Sequence, residues 1–352
     1  MSVTLPSPSL TEPDSALGRR RLGWPAWGWS LIGVLAVWAL IVIVRPGAPL
    51  DPLAQALTLA PFLVLVALGQ MLVITLGPGN IDVSVGTIIS MASYVSVAIG
   101  ASVGPIAGIL AAVGVGIAAA VCSVIAILLL RVPPIIATLA TSLIVSSATL
   151  LLADASRHSA DAGLREFVNA KILGIPGIPV IALLVLAVTV VIALMLRHTR
   201  FGLSVLAVGQ SARAAERAGI TVWAITALAY LACGAFAGLA GGLLAAFISP
   251  STVLGTSYML DSIAVVVIGG TLISGGRAVP TGAWTGALFF VLLSGLLNLV
   301  GWSIGAQNIL KGVLVVAVVI VSAAATGTGR SSRARLRESL HLGNRNKETT
   351  HG

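Results

Sequence analysis

The sequence predicts an all-α, polytopic integral membrane protein of about ten transmembrane helices, some of them discontinuous. Three observations carry this. Apolar residues make up 57% of the 352 and charged residues 9%, against about 25% charged in an ordinary soluble domain. The mean hydropathy is +1.07. Finally, 20 basic and 11 acidic side chains cannot clothe a soluble chain of this length, so lipid must be the solvent for most of it. The same figures exclude disorder, collagen-like repeats and a small disulfide scaffold. A net charge of +9 would suit nucleic acid, but the basic residues cluster between and beyond apolar runs. Cys122 and Cys233 lie inside apolar stretches and read as small packing residues. The histidines His158, His198, His341 and His351 have no metal-ligand spacing, so no metal site is expected.

A helix needs about 20 apolar residues to cross ~30 Å of hydrocarbon. Suitable segments occupy 27–44, 53–76, 83–103, 105–130, 135–152, 178–196, 221–248, 257–273, 281–300 and 307–325. Gly and Pro punctuate them locally, as in Gly77-Pro78-Gly79 and Arg131-Val132-Pro133-Pro134. The first segment is expected to remain as an anchor, because a polar stretch precedes it and no small-residue cleavage site follows Val44. This gives a polar tail over 1–22, a membrane domain over 23–325 containing the loop 197–220, and a basic tail over 326–352. Ten crossings put both termini on one side. Arg45, Arg157, Arg165, Lys171 and Lys311 then fall on the opposite side, and the other 15 of the 20 basic residues on the terminal side. The positive-inside rule therefore predicts that both termini are cytoplasmic. The long loop 153–177 should face outward and is electrically balanced; the loop 197–220 should face inward and is basic, with Glu216 its one acid.

The densest polar cluster within the apolar region is Gly77-Pro78-Gly79-Asn80-Ile81-Asp82-Val83-Ser84-Val85-Gly86. Pro78 has no N–H and the glycines favour non-helical backbone, so a continuous helix is not expected. Two readings stay open: a tight turn in which Asn80 or Asp82 caps the next helix, or a broken segment lining a solute pathway, with Asn80, Asp82 and Ser84 as candidates. Asp261, at membrane depth, is a pathway candidate by default, but also suits a first-turn acid favoured by the helix dipole. Asn298, inside an apolar run, suits either an interhelical hydrogen bond or a cavity wall.

In the inward loop, Ser211 reads as an N-cap and Gly219 as a C-terminal stop. Between them Ala212, Ala215 and Ala218 share one helical face, with room for a close partner, while Arg213, Glu216 and Arg217 lie largely away from it. A helix this short needs a partner to be stable; the alternative is a basic loop held by phospholipid heads. Ser274-Gly275-Gly276-Arg277 lacks the Gly-Lys-Ser/Thr ending of a phosphate loop. There is no nucleophile elbow and no soluble acid/base pair. ATP hydrolysis is not expected of this chain.

At these residues the chain resembles the permease subunits of bacterial ABC importers for ribose and related monosaccharides, a family that includes autoinducer-2 permeases. Three ordered blocks carry the resemblance. The first is Gly69-Gln70-Met71-Leu72-Val73-Ile74 with Ile81-Asp82-Val83-Ser84-Val85-Gly86. The second runs from Arg200-Phe201-Gly202 through Ala214-Ala215 to Gly219-Ile220. The third is Leu260-Asp261-Ser262-Ile263-Ala264 with Gly269-Gly270 and Gly275-Gly276-Arg277, continuing to Leu296-Leu297-Asn298-Leu299 and Lys311-Gly312. Together they span roughly 53–325. Gly77-Pro78-Gly79-Asn80 is longer than the family's usual turn, and Arg213 stands where the coupling loop often has Glu.

The resemblance implies a permease that works as a pair, with itself or a paralogue, beside ABC ATPase subunits and a sugar-binding protein. ATP and Mg would be used by the ATPase, with no cofactor on this chain. The segment Ser211, Ala212, Arg213, Ala214, Ala215, Glu216, Arg217 and Gly219 would couple to that ATPase. The rival class is an ion-coupled secondary transporter, which should carry ionisable residues deep in several helices.

Overall fold

Residues 60–75 are apolar on every side, and a helix of that kind belongs in an interior rather than at a surface. The computed structural model describes residues 25–155, 160–171 and 178–327. It contains α1 (Gly28–Val44), α2 (Asp51–Thr75), α3 (Val85–Val103), α4 (Pro105–Leu128), α5 (Pro134–Ala155), α6 (Ala162–Asn169) and α7 (Val180–His198). These are followed by α8 (Arg200–Gln210), α9 (Ala212–Arg217), α10 (Val222–Phe247), α11 (Thr256–Ile268), α12 (Pro280–Leu299) and α13 (Ile304–Gly327). Among the described residues there is no strand beyond an isolated bridge between Lys171 and Pro179. Ten of the helices coincide with the ten apolar segments. Seven are long and apolar enough to cross a membrane, and α1, α11 and α13 contribute shorter apolar stretches.

Of the residues that set the expected orientation, Arg19, Arg20, Arg21, Arg157, Arg330, Arg333, Arg335, Arg337, Arg345 and Lys347 lie outside the described residues. So do His158, His341, His351, the tail 1–22 and residues 328–352.

α2 is the axis of the molecule. Every residue from 60 to 75 is buried, and α2 packs against α7, α10, α11 and α12. Pro105, Pro134 and Pro280 open α4, α5 and α12, where a missing N–H costs nothing. Around the axis, α3, α4 and α10 pack most closely, through small residues. A Cβ on Gly116 of α4 would collide with the Gly234 carbonyl of α10, and one on Gly238 with the Ala112 carbonyl. In lipid, where apolar surface gains little from leaving the solvent, such backbone-to-backbone contact is what holds helices together.

Besides α6, which forms within the 153–177 loop, two elements depart from the sequence reading. The apolar run 257–273 forms a helix only as far as Ile268. Its 13 residues rise about 20 Å, short of the ~30 Å hydrocarbon thickness, because Gly269 and Gly270 end it. The flanking turns are tied to protein at buried points: the Gly255 N–H donates to Ser90 Oγ at 3.1 Å, and the Val279 N–H to Thr271 Oγ1 at 3.1 Å. Non-helical backbone at this depth survives only with such partners. Second, the 197–220 loop is itself helical from Arg200, as α8, turned from α7 at the extended Thr199 and folded back so closely that a Cβ on Gly202 would strike Met195 and Leu196 backbone.

The close α4–α10 contact predicts that Gly116→Val lowers stability by about 1–3 kcal/mol, the range for an overpacked core. Val at the exposed Gly114, which has nothing within 4 Å of its Cβ position, should be nearly neutral. Thermal unfolding of the purified chain in detergent reads both.

Candidate functional site

The backbone break after α2 is real, and it is a turn held by its own side chains. Asp82 Oδ1 accepts from the Ser84 N–H at 2.9 Å and from the Ser84 hydroxyl at 2.6 Å, just ahead of α3. The Gln70 amide of α2 faces the backbone of the same residue, donating to the Asp82 carbonyl at 3.3 Å and accepting from its N–H at 3.1 Å. Asn80 accepts from Tyr230 Oη of α10 at 3.3 Å and donates to the Gly77 carbonyl at 3.3 Å. Asp82 and Ser84 are fully buried, and Asp82 Oδ2 has no hydrogen-bond partner among the described residues. An orphaned carboxylate oxygen is costly. It persists here because Gln70, Ser84 and Tyr230 fix the turn from three sides.

At the end of α2 the three sequence blocks meet. The Gly276 N–H donates to the Thr75 carbonyl at 2.9 Å. A Cβ on Gly209, near the end of α8, would collide with that same carbonyl and with Gly276 N, and one on Gly275 would collide with Gly77 Cα. Gly77, Gly275 and Gly276 have φ of +121°, +85° and +75°, a region that favours glycine. The turn after α2, the end of α8 and the 274–277 turn thus interlock backbone against backbone. From the sequence, Gly275 and Gly276 stood out only as a stretch unlike a phosphate loop and as part of the third block, and Gly209 did not stand out.

One extended residue beyond α8, Ser211, opens α9 and caps it by accepting from the Ala214 N–H at 3.3 Å. Gly219 closes it at φ +83°. The Ile220 N–H reaches the Ala215 carbonyl and the Gly219 N–H the Glu216 carbonyl, each at 3.0 Å, the Schellman pattern. The expected cap and stop both hold. Of the expected face, Ala212 and Ala218 are open to a partner and Ala215 is not. Ala215 is 4% exposed and packs inward on the protein's own core, whereas Ala212, Arg213, Ala214, Glu216, Arg217 and Ala218 are exposed. A two-turn helix must rest on something, and the small side chain at 215 lets it rest on the core.

The remaining candidates lie elsewhere. A cavity of about 500 Å³ opens between α1, α2, α11, α12 and α13, and Asp261, Asn298, Lys311, Tyr258, Phe290 and Gln55 are among its walls. Asn80, Asp82 and Ser84 are not. Asp261 is not a first-turn acid, since α11 begins at Thr256, more than a turn earlier. It pairs with Lys311 Nζ of α13 at 2.9 Å, both side chains being largely buried. Asn298 Oδ1 accepts from Gln307 Nε2 at 2.7 Å, so it both bonds between helices and lines the cavity. Lys311 and Gln307 were missed as partners. Their signal was a lone cation and a lone amide in an apolar run, each of which needs a mate.

Compared with known proteins, residues 53–322 match the family described as branched-chain amino acid transport system / permease component, and the chain belongs to that family. It is 36% identical over 261 residues to the ribose import permease protein RbsC of Bacillus subtilis, covering 73% of this chain and 80% of that one. Against RbsC of Escherichia coli K12 it is 32% identical over 313 residues, 86% and 96% of the two chains. The galactofuranose transporter permease protein YtfT of the same strain is 32% identical over 329 residues, 88% and 93%. No solved structure gives a significant match. The chain is a multi-pass membrane permease.

Removing one partner of a buried ion pair costs about 3–5 kcal/mol, whereas replacing both is far milder. Asp261→Asn and Lys311→Met should therefore each destabilise the permease, and the double variant should regain most of the loss in a thermal-unfolding assay. If the cavity also handles solute, the stable double variant will still take up solute poorly; normal uptake would make the pair purely structural.

Proposed function

We propose that this chain is the membrane-spanning permease subunit of an ATP-driven importer that moves a monosaccharide or similar small polar solute inward by alternating access. The curated relatives are named for ribose and galactofuranose transport, which supports a sugar. The observation that carries the mechanism is the junction of Gly77, Gly209 and Gly276. It ties an exposed short helix, α9, to the end of the most deeply buried helix, as a subunit driven from outside must.

In this reading ABC ATPase subunits dock on α9 and hydrolyse ATP with Mg, and this chain binds neither. A sugar-binding protein delivers solute to the opposite face, and a second permease copy or a paralogue completes the pathway. Both termini are cytoplasmic, following the charge asymmetry. The 500 Å³ cavity, of ordinary ligand-site size, offers carboxylate, ammonium, amide and aromatic groups suited to hydroxyls. No observation favours ion coupling: Asp82 is engaged by Ser84 and Asp261 by Lys311.

Two variants test this in vesicles reconstituted with the ATPase and the sugar-binding protein. Ala212→Trp, on the exposed side of α9, should leave permease abundance unchanged and weaken ATPase retention by roughly tenfold or more, the factor given by ~1.4 kcal/mol. Gly209→Ala should retain the ATPase and hydrolysis while uptake falls, because the dock survives and its linkage is forced apart. Normal ATP-driven uptake in both variants would rule out α9 and the junction as the coupling route.

A further inference from the structure

A second cavity, of about 440 Å³, lies where the start of α1, the end of α7 and the N-terminus of α12 come together. Trp27, Leu196, Arg197, Leu206, Arg277 and Thr281 are among its walls, and no carboxylate is. Among the described residues neither guanidinium has a hydrogen-bond or ion-pair partner. Both side chains are exposed, so the groove offers two cationic groups to an anion arriving from outside the chain.

We propose that this groove holds the phosphate headgroup of an anionic phospholipid. Three features select a lipid. Arg197 is the penultimate residue of α7, which puts it at the boundary of the hydrocarbon, the level of a lipid phosphate. Trp27 precedes the first residue of α1, where an indole sits in the interfacial belt. From the groove, α7 and α1 carry exposed aliphatic side chains away along the bilayer, Val191 and Leu194 on one and Ile32 and Leu35 on the other, which suits acyl chains and would be useless to a soluble anion. These arguments hold on whichever side of the membrane the groove lies.

The consequence is mechanical. Arg277 closes the 274–277 turn, whose Gly276 holds the end of α2, so a bound lipid would brace the glycine junction from the bilayer side. That link to transport rests on the importer reading above; the binding itself does not.

The test uses the full chain purified from vesicles of mixed phosphatidylglycerol and phosphatidylcholine, with retained lipid counted by native mass spectrometry. Wild type should hold phosphatidylglycerol in preference to phosphatidylcholine, and inorganic phosphate should not displace it. Arg197→Gln with Arg277→Gln should weaken retention roughly thirtyfold, from ~1 kcal/mol per arginine at headgroup level, while the paired Lys substitutions keep it. Equal retention of the two lipids by wild type, which needs no variant to fold, would overturn the proposal. So would displacement by phosphate, which would reassign the groove to a soluble anion. Unchanged retention in the Gln variant would also overturn it, since the arginines would then not hold the headgroup. The uptake reading is tested separately, by whether wild-type transport rises with phosphatidylglycerol content; failure there with binding intact would leave the site and remove its coupling role.

Discussion

The Thr75 carbonyl, last in a helix buried on all sides, needs a donor that neither water nor lipid can bring to it. The Gly276 N–H is that donor, and only glycine at 209 lets α8 end against the same atom. Much follows from this contact. It fixes where α2 stops, and so where the break containing Asp82 begins. It joins the 274–277 turn, and through it α12, to the axis of the molecule. It also seats α8, and one residue later α9, whose outer face is exposed. A backbone junction without side chains has few alternative packings, so movement of one of its members must displace the others or break hydrogen bonds.

The polar groups fall into two sets at separate places, and their chemistry differs accordingly. Around the break, Gln70, Asp82, Ser84, Asn80 and Tyr230 are engaged mainly with one another, which is how a non-helical segment is made rigid in a membrane interior. In the cavity, Asp261 and Lys311 are paired and Asn298 is bonded to the buried Gln307, yet Asp261, Lys311 and Asn298 all line open space. The first set holds shape, and the second has room to exchange its partners for hydroxyl groups.

Helix number and position were legible because hydrophobic length is a strong, local signal and Gly and Pro mark its ends. Ser211 and Gly219 were legible for the same reason, since a cap and a stop need only a few adjacent residues. The direction that α9 faces was not. Ala212 and Ala215 are chemically alike, and only the way α9 rests against α8 and α10 makes one buried and the other exposed. Asp261 was misplaced because its helix begins at Thr256, without a sequence marker as strong as a proline. The partnerships of Asp261 with Lys311 and of Gln70 with Asp82 join residues far apart in sequence, which a single chain read in order does not reveal. Gly209 carried no signal either, because its need for glycine arises wholly from the approach of two other segments.

The central claim is that the junction moves as one body, carrying displacement of α9 to the break after α2. Spin labels at exposed positions 78 and 203, the latter on α8 and off the α9 dock, in the transporter assembled with its ATPase, measure this directly. The account predicts an unchanged distance between them with and without ATP, while the distance from position 78 to a label at Leu299, near the ion-pair cavity, shifts. A change between 78 and 203 on ATP binding, with 78 to 299 fixed, would contradict it.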